Sequence, residues 1–569
     1  MKVVIVGGVA GGASAAARLR RLDEAAEIVM IERTGYVSYA NCGLPYYVGG
    51  VITDKRKLTL QTPESFKARF AVDVRVSQEV VSIDRDNKRV RVRRLADGSI
   101  YEEAYDVLVL SPGARPVIPD IPGVDGSRVF ALRTVEDTYA IKDFIDAEGV
   151  RSAVVVGAGF IGLETAENLR DLGMEVTVVQ RGAQVMKPVD PDMAVIIHNR
   201  LRDAGVRLLL NTHIEGVEED GGAVGSAVRV LTAEHDPISC DMVVLAVGVV
   251  PDSSLAKNAG LELGARGSIK VDEHLRTSDP SIYAVGDAIE VSDAVTGEAS
   301  LISLAGPANK QGRLAADNIA GRPRTYGKTL GTSVLKLFDL TIAATGATSA
   351  SARRAGADFD AVVLTPPNHA TYYPGAQSMT LKVLFEKGTG RVIGAQAIGR
   401  DGVEKRIDVL ATAIRAGMTA SDLAELDLAY APPFSSAKDP VNMAGFMIEN
   451  IIDGLVSQVQ WSEALTVFGE VPGTVLLDTR TEGEFSRGHV PGAVNIPLDE
   501  LRERIGELPQ DGMLFVYCQS GLRSYVACRL LAQRGFDCVN IAGGFGFLSH
   551  AHRGAEKMGC DVGPCGLRA

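Results

Sequence analysis

Two of the seven cysteines stand where a thiol can do chemistry. Cys42 lies in "SYANCGLPYY" (38–47), a polar stretch bearing Gly43 and Pro45 and lacking apolar periodicity. No second cysteine lies in its local sequence, and Tyr47 stands five residues on. A local internal disulfide is therefore unavailable. The oxidised forms open to Cys42 are a mixed disulfide, a persulfide or a sulfenic acid. The bland alternative is a small buried hydrophobe. Cys518 heads "CQSGLRS" (518–524), where a loop runs into a helical pattern. A helix start presents unpaired backbone N–H groups and the positive end of the dipole, which lowers a thiol's pKa and supports the outer sulfur of a persulfide. Gly521 permits a tight cradle, and Arg523 adds positive charge.

The other cysteines carry weaker signals. Cys528 and Cys538 follow ten and twenty residues after Cys518 and are expected in the core. Cys240, at a strand start, is expected to be structural. Cys560 and Cys565, in the tail "GCDVGPCGLRA", can resolve a persulfide or pair with each other, but an incidental tail is the favoured reading. Two lone cysteines do not complete a four-ligand zinc site, and no metal is expected.

The elements that must position these thiols repeat one plan. "KVVIV" (2–6), "GGVAGG" (7–12), a helical segment and "EIVMIER" form one strand–helix–strand pattern. "SAVVV" (152–156), "GAGFIG" (157–162), a helical segment and "EVTVVQR" form a second. Two such units predict two dinucleotides, each with its pyrophosphate at a helix N-terminus. The second fingerprint is complete, with Gly157, Gly159 and Gly162. In the first, Gly7 and Gly12 match the outer glycines and Val9 holds the middle position. Glu32 stands where an acid grips a ribose hydroxyl. At the matching place in the second unit stand Gln180 and Arg181. Neutral Gln180 does not repel a 2′-phosphate, and Arg181 can pair with one or be a solvated loop residue. NADH is the expected donor, with NADPH the alternative.

A chain of 569 residues is too long for one core. Its net charge of −12 makes general nucleic-acid binding a poor fit, while leaving room for a local basic pocket. No uninterrupted apolar run of about 18 residues appears, so no membrane span is expected. Few cysteines in a long chain suggest a reducing compartment, and a cytoplasmic setting is expected.

Further strands end in glycine at "DVLVLSPGARP" (106–116) and "DMVVLAVGVVPD" (241–252), followed by "SIYAVGDA" (281–288). With the two fingerprints, these resemble the flavoprotein disulfide reductases that bind two dinucleotides. The resemblance implies FAD in the first unit and NAD(P)H in the second. The implied cofactor positions are Gly7, Gly8, Val9, Ala10, Gly11, Gly12, Glu32, Arg33, Gly113, Gly157, Gly159, Phe160, Ile161, Gly162, Gln180, Arg181, Gly248, Gly286, Asp287 and Ala288, with Asp287 on the flavin's ribityl chain. "LLDTR", "GHVPGAVNIP" and the Cys518 loop resemble a rhodanese domain, in which Asp478 and Arg480 are expected to support the fold.

The implied fold is α/β: two Rossmann-like dinucleotide-binding domains, an α+β dimerisation domain and a C-terminal α/β rhodanese domain. The expected divisions are 1–115 and 246–325 for FAD, 116–245 for NAD(P)H, 326–450 for dimerisation, 460–560 for rhodanese and 561–569 for a tail.

"YANCGLPYY" and "LAYAPPFSSAKDPVNMAG" (428–445) resemble the single-cysteine coenzyme A disulfide reductases. The first glycine loop lacks the histidine of the related peroxidases. The resemblance implies a homodimer in which Tyr372 and Tyr430 face the partner's cysteine, although Tyr373 adjoins the first of them and ordinary aromatic packing is the other reading. It also implies a coenzyme A site bordered by Ser14, Arg18, Arg21, Ser38, Asn41 and Lys438. Arg18 and Arg21 are three apart and so share one helix face, the alternative being a solvated face. The whole chain resembles persulfide reductases, also described as coenzyme A disulfide reductases with a rhodanese domain. That implies NAD(P)H-driven, flavin-dependent reduction of persulfide or polysulfide sulfur at Cys42, releasing hydrogen sulfide and thiol, with Cys518 handling sulfane sulfur. Maintenance of reduced coenzyme A is the alternative enzyme, and a sulfur carrier or redox sensor is the alternative of another class.

Overall fold

The computed structural model describes residues 1–219, 228–471 and 473–558. Cys560 and Cys565 lie outside the described residues. The chain divides into two compact units, one of residues 1–182 and 205–331, the other of 183–204 and 332–569.

In the first unit, the β-branched run of β1 (Lys2–Val6) is buried on both faces, as a central parallel strand requires. After the glycine loop comes α1 (Ala10–Leu22), then β2 (Glu27–Ile31), parallel to β1 from Lys2 opposite Glu27 to Val6 opposite Ile31. The sheet runs, in spatial order, Ile282–Ala284, Val107–Leu110, β1, β2 and Asp73–Arg75. Arg20 ends α1 from a buried position by donating to the carbonyls of Asp23, Glu24, Ala26, Phe70 and Ala71. The helix Ala305–Ile319 crosses α1 so closely that a Cβ on Gly312 would sit 2.1 Å from the Gly11 carbonyl oxygen.

The second nucleotide unit repeats the plan with β3 (Ser152–Val156), α2 (Phe160–Asp171) and β4 (Glu175–Val179). Its sheet order is Arg207–Leu209, β4, β3, Met242–Leu245 and Val129–Ala131, all parallel. Both expected Rossmann-like folds are present.

The second unit holds an antiparallel five-stranded sheet, in order Ser333–Leu337, Leu340–Gly346, Val392–Gly399, Thr380–Glu386 and Phe359–Leu364. The helices Val403–Ala416 and Pro440–Ile452 bury their apolar faces on it. The helix α3 (Pro191–Asp203) belongs to this unit, although its residues fall in the stretch expected to bind NAD(P)H. The reason is electrostatic. Asp190 and Asp192 at its start meet the buried Lys382 ammonium at 2.9 and 2.7 Å, and Ser349 donates to Asp190 through both its N–H and its hydroxyl.

The C-terminal sheet is wholly parallel, in order Ser457–Val459, β6 (Cys538–Ile541), β5 (Leu514–Tyr517), Val475–Asp478 and Val494–Asn495. Between β5 and β6 runs α4 (Leu522–Ala532), and α5 (Gly544–Met558) follows β6. The domain is tied to α3, where Asn199 donates to the His550 carbonyl at 2.8 Å and Arg553 pairs with Asp203 at 2.7 Å. No described helix is long and apolar enough to cross a membrane.

Candidate functional site

The two glycine loops form cradles of different kinds. In the first, a Cβ on Gly12 would lie 1.9 Å from the Gly7 carbonyl oxygen, so α1 starts hard against the strand end. Glu32 accepts from the backbone N–H groups of Gly8 at 2.8 Å and Thr34 at 2.9 Å, which fixes its carboxylate at the carboxyl edge of the sheet. A cleft lined by Gly7, Glu32, Arg33, Pro112, Asp252 and Ser254 opens there. In the second loop, Gly162 repeats the tight contact, 2.0 Å from the Gly157 carbonyl oxygen, whereas a Cβ on Gly159 would meet nothing within 4 Å. That opening at the start of α2 is the room a pyrophosphate needs. Gln180 accepts from the Ala158 N–H at 3.1 Å, so it braces the loop, and Arg181 is exposed beside it. The cleft at the first strand end and the open cradle at the second fit a flavin and a nicotinamide dinucleotide.

Cys42 lies in a single turn, Asn41–Gly43, followed by the short helix Leu44–Val48 with Pro45 in its first turn. The loop is strapped in place by Ala40 donating to the Leu58 carbonyl, Leu60 to the Ser38 carbonyl and Ser38 to the Gly8 carbonyl. Ser38 takes a left-handed φ of 47° to make that turn. Cys42 is exposed. The protein crowded around its sulfur displaces water and pushes the thiol up; the Glu164 and Asp287 carboxylates add to this, and Arg133 opposes them.

Arg133 and Glu164 are the residues that sequence reasoning missed. Arg133 donates to Asp287 at 3.1 Å. With its amide turned to satisfy both groups, Asn41 donates to the Arg133 carbonyl and accepts from its guanidinium. Gly113, at φ 73°, leaves room for the same guanidinium, since a Cβ there would be 3.2 Å from Nη2. Three predicted positions thus converge on one residue in "ALRTVED", a stretch with no spacing signal. Glu164, on α2, receives a bond of 3.4 Å from the Tyr46 hydroxyl, and loss of water raises its carboxyl to about 7. It follows the second fingerprint by two residues, which is the only clue the sequence holds.

The substrate positions separate. Arg18 does not share an open face with Arg21: it pairs with the buried Asp317 at 2.7 Å, while Arg21 is exposed. Ser14 donates to Asn309 at 2.6 Å. Arg33 pairs with Asp252 at 3.1 Å. In the second unit Lys438 is exposed on the "FSSAKDP" loop. That loop is held by buried Arg406, which donates to Asp439, Ser435 and the Asn368 carbonyl. Ala370 donates to the Ser435 carbonyl and so brings the neighbouring loop alongside. The result is that the Tyr372 and Tyr430 hydroxyls meet at 2.8 Å, while Tyr373 turns to the His369 ring. Tyr372, Tyr430 and Phe434 are all exposed, at 74, 47 and 71%.

Cys518 follows the last residue of β5 and is buried. Its sulfur accepts from the Gly521 N–H at 3.1 Å and the Ser524 hydroxyl at 3.5 Å. Gly521 adopts φ 102°, which turns the loop back over the sulfur before α4 begins. Arg523 grips Glu484 with both terminal nitrogens at 2.7 Å, which holds that carboxyl down at about 2, and it also lies within reach of Cys518. Asp478 and Arg480 form a buried ion pair, with Arg480 reaching on to the Gly488 carbonyl and the Phe545 ring. They support the fold, as expected. Phe545 and Gly546 donate to the Cys518 and Gln519 carbonyls and close the loop's other side.

The site and fold together define a class. Residues 1–312 match the pyridine nucleotide-disulphide oxidoreductase model, 332–440 its dimerisation domain and 464–546 the rhodanese-like domain. The chain belongs to the pyridine nucleotide-disulphide oxidoreductases, FAD- and NAD(P)H-dependent enzymes, and carries a rhodanese-like domain. It is 35% identical over 451 residues to the coenzyme A disulfide reductase of Staphylococcus haemolyticus, covering 79% of this chain and 100% of that one. The structure of reduced Bacillus anthracis CoADR-RHD is 49% identical, with TM-score 0.93 over 96% of this chain and 98% of that one. An NAD-dependent persulfide reductase from A. fulgidus is 41% identical, with TM-score 0.89 over 96% of this chain and 100% of that one.

Proposed function

We propose that this chain reduces sulfur–sulfur bonds of a small thiol carrier, coenzyme A persulfide foremost, with electrons from NADH or NADPH. The observation that carries the reading is the pairing of a lone, exposed Cys42 beside the flavin cradle with a Cys518 loop built to hold an extra sulfur. A single thiol with no local partner takes its second sulfur from substrate.

Cys42, as thiolate, attacks one of the two bonded substrate sulfurs. That bond breaks, one sulfur leaves as hydrosulfide or thiol, and the other stays on Cys42 until two electrons and a proton release it. When bound, FAD supplies those two electrons from the nicotinamide. Arg133 offsets the two carboxylates that disfavour the thiolate. The exposed Tyr372–Tyr430 pair belongs to the face that meets a second copy of the chain. There its hydroxyls donate a proton to the sulfur leaving Cys42 of the partner subunit. Arg21, an exposed cation, holds the carrier's phosphates, with Ser14, Ser38 and Asn41 bordering the pantetheine path and Arg18 held back by Asp317. Cys518 receives sulfane sulfur from other donors, its outer sulfur supported by the α4 start and by Arg523. Such thiols persist in a reducing compartment, and the cytoplasm is the setting assigned.

The name of the A. fulgidus relative supports this reading, while that of the B. anthracis relative, CoADR-RHD, names a coenzyme A disulfide reductase. The S. haemolyticus name supports the second one, a coenzyme A disulfide reductase. Anaerobic NADH oxidation with coenzyme A persulfide and, separately, coenzyme A disulfide separates them while sulfide is recorded. Persulfide as the better substrate, with sulfide in step with NADH, supports the proposal. A preference for disulfide without sulfide overturns it.

A further inference from the structure

The rhodanese-like domain holds two thiols that the reaction above does not use. Cys528 lies on α4, 2% exposed in the domain core, and Cys538 is the half-buried first residue of β6. Expected from sequence in the core, they are brought together by the packing of α4 on β6. The Cys538 thiol donates to the Cys528 carbonyl at 3.5 Å. Both are free thiols.

Register shows what the pair is not. Cys538 lies opposite Leu514, the first residue of β5, whereas Cys518 follows its last. Four residues at about 3.3 Å each put Cys538 roughly 13 Å along the sheet from the rhodanese loop. Cys538 therefore does not resolve a persulfide on Cys518 directly.

We propose that Cys528 and Cys538 are a dithiol modification site that closes to a disulfide on meeting a small-molecule disulfide, with Cys538 attacking and Cys528 resolving. The roles follow from exposure: Cys538 reaches solvent and Cys528 does not. They also follow from charge. The neighbouring Cys528 thiol lowers that of Cys538, against burial and the Asp537 carboxylate, which raise it; Cys538 and burial both raise that of Cys528. The chemistry balances. Cys538 thiolate attacks RS–SR, giving Cys538–S–SR and RS⁻. Cys528, losing its proton, attacks the Cys538 sulfur and expels a second RS⁻. Two electrons pass from the dithiol to the small disulfide, and the two thiol protons end on the two thiols released. The cross-link joins α4, whose other end carries the Cys518 loop, to β6.

The test incubates the FAD-loaded full-length protein with oxidised glutathione, alkylates the remaining thiols and maps peptides by mass spectrometry. Wild type, Cys42→Ser and Cys518→Ser should each lose two alkylatable thiols to a Cys528–Cys538 cross-link that dithiothreitol reverses. Cys528→Ser and Cys528→Ala, the second chosen for a core position, should instead stop at a glutathione adduct on Cys538. Cys538→Ser should give neither product. The proposal is overturned if oxidation reaches Cys42 or Cys518 while Cys528 and Cys538 stay alkylatable. It is also overturned if both Cys528 variants melt like wild type and leave Cys538 unmodified.

Discussion

At Cys42 two carboxylates, those of Glu164 and Asp287, work against one guanidinium, that of Arg133. Replacing Glu164 by Gln removes one of the charges that raise the thiol. The pH midpoint for alkylation of Cys42 should then move to lower pH, and an unmoved midpoint would show that Glu164 does not act on the thiol. The same substitution has a stability signature. Glu164 titrates near 7 when folded against about 4.5 when unfolded, so its ionisation opposes folding above pH 7 and is without effect below 4.5. The full effect is on the order of 3 kcal/mol. The melting temperature of Glu164→Gln should therefore exceed that of wild type, by more at pH 8 than at pH 6. Further along, Gln180 is committed to the Ala158 N–H, and Arg181 is the residue proposed to read the 2′ position. Arg181→Ala should lower kcat/KM for NADPH about tenfold, roughly the 1.4 kcal/mol of one exposed phosphate contact, with NADH little changed. An equal loss with both nucleotides would make Arg181 a bystander. Cys42, Cys518 and the glycine fingerprints were legible because their chemistry depends on local spacing. Arg133 and Glu164 were not, since they gain meaning only where separate strand–helix units converge.

Two of the three glycines of the second fingerprint do separable jobs on one element. Gly162 is a packing glycine, with no room for a Cβ against the Gly157 carbonyl, while Gly159 faces open space at an ordinary φ of −85°. Gly162→Ala should push α2 off β3 and destabilise the fold by about 1–3 kcal/mol. Gly159→Ala should leave melting unchanged and raise KM for NAD(P)H tenfold or more by filling the cradle. Thermal melting beside steady-state kinetics checks both, and a Gly159→Ala protein of normal KM would place the pyrophosphate elsewhere. Val9 holds the corresponding place in the first loop at φ −100°, so the looser first fingerprint is a tolerated side chain in the same backbone. The parallel sheets were legible as apolar runs broken by glycine. The placement of α3 was not, because Lys382 lies 190 residues from the Asp192 it binds.

Across the whole molecule, the motif "LAYAPPFSSAKDP" marked Tyr430 but left Tyr372 and Tyr373 undecided. The Ala370–Ser435 bond and buried Arg406 set two loops side by side, so that Tyr372 rather than Tyr373 meets the Tyr430 hydroxyl. Tyr430→Phe should lower kcat about a hundredfold or more, the usual scale for loss of a positioned acid, without changing the oligomeric mass in solution. An unchanged kcat would reduce the pair to surface packing. The rhodanese-like domain poses the larger question of which cysteine performs the reduction, since both thiols are proposed to handle sulfur. Anaerobic sulfide release from coenzyme A persulfide and NADH, compared in Cys42→Ser and Cys518→Ser holoenzymes, answers it most directly. The account predicts that Cys42→Ser loses sulfide release altogether, while Cys518→Ser retains it with this preformed substrate. Sulfide release that survives in Cys42→Ser and disappears in Cys518→Ser would contradict it and move the chemistry to the rhodanese loop.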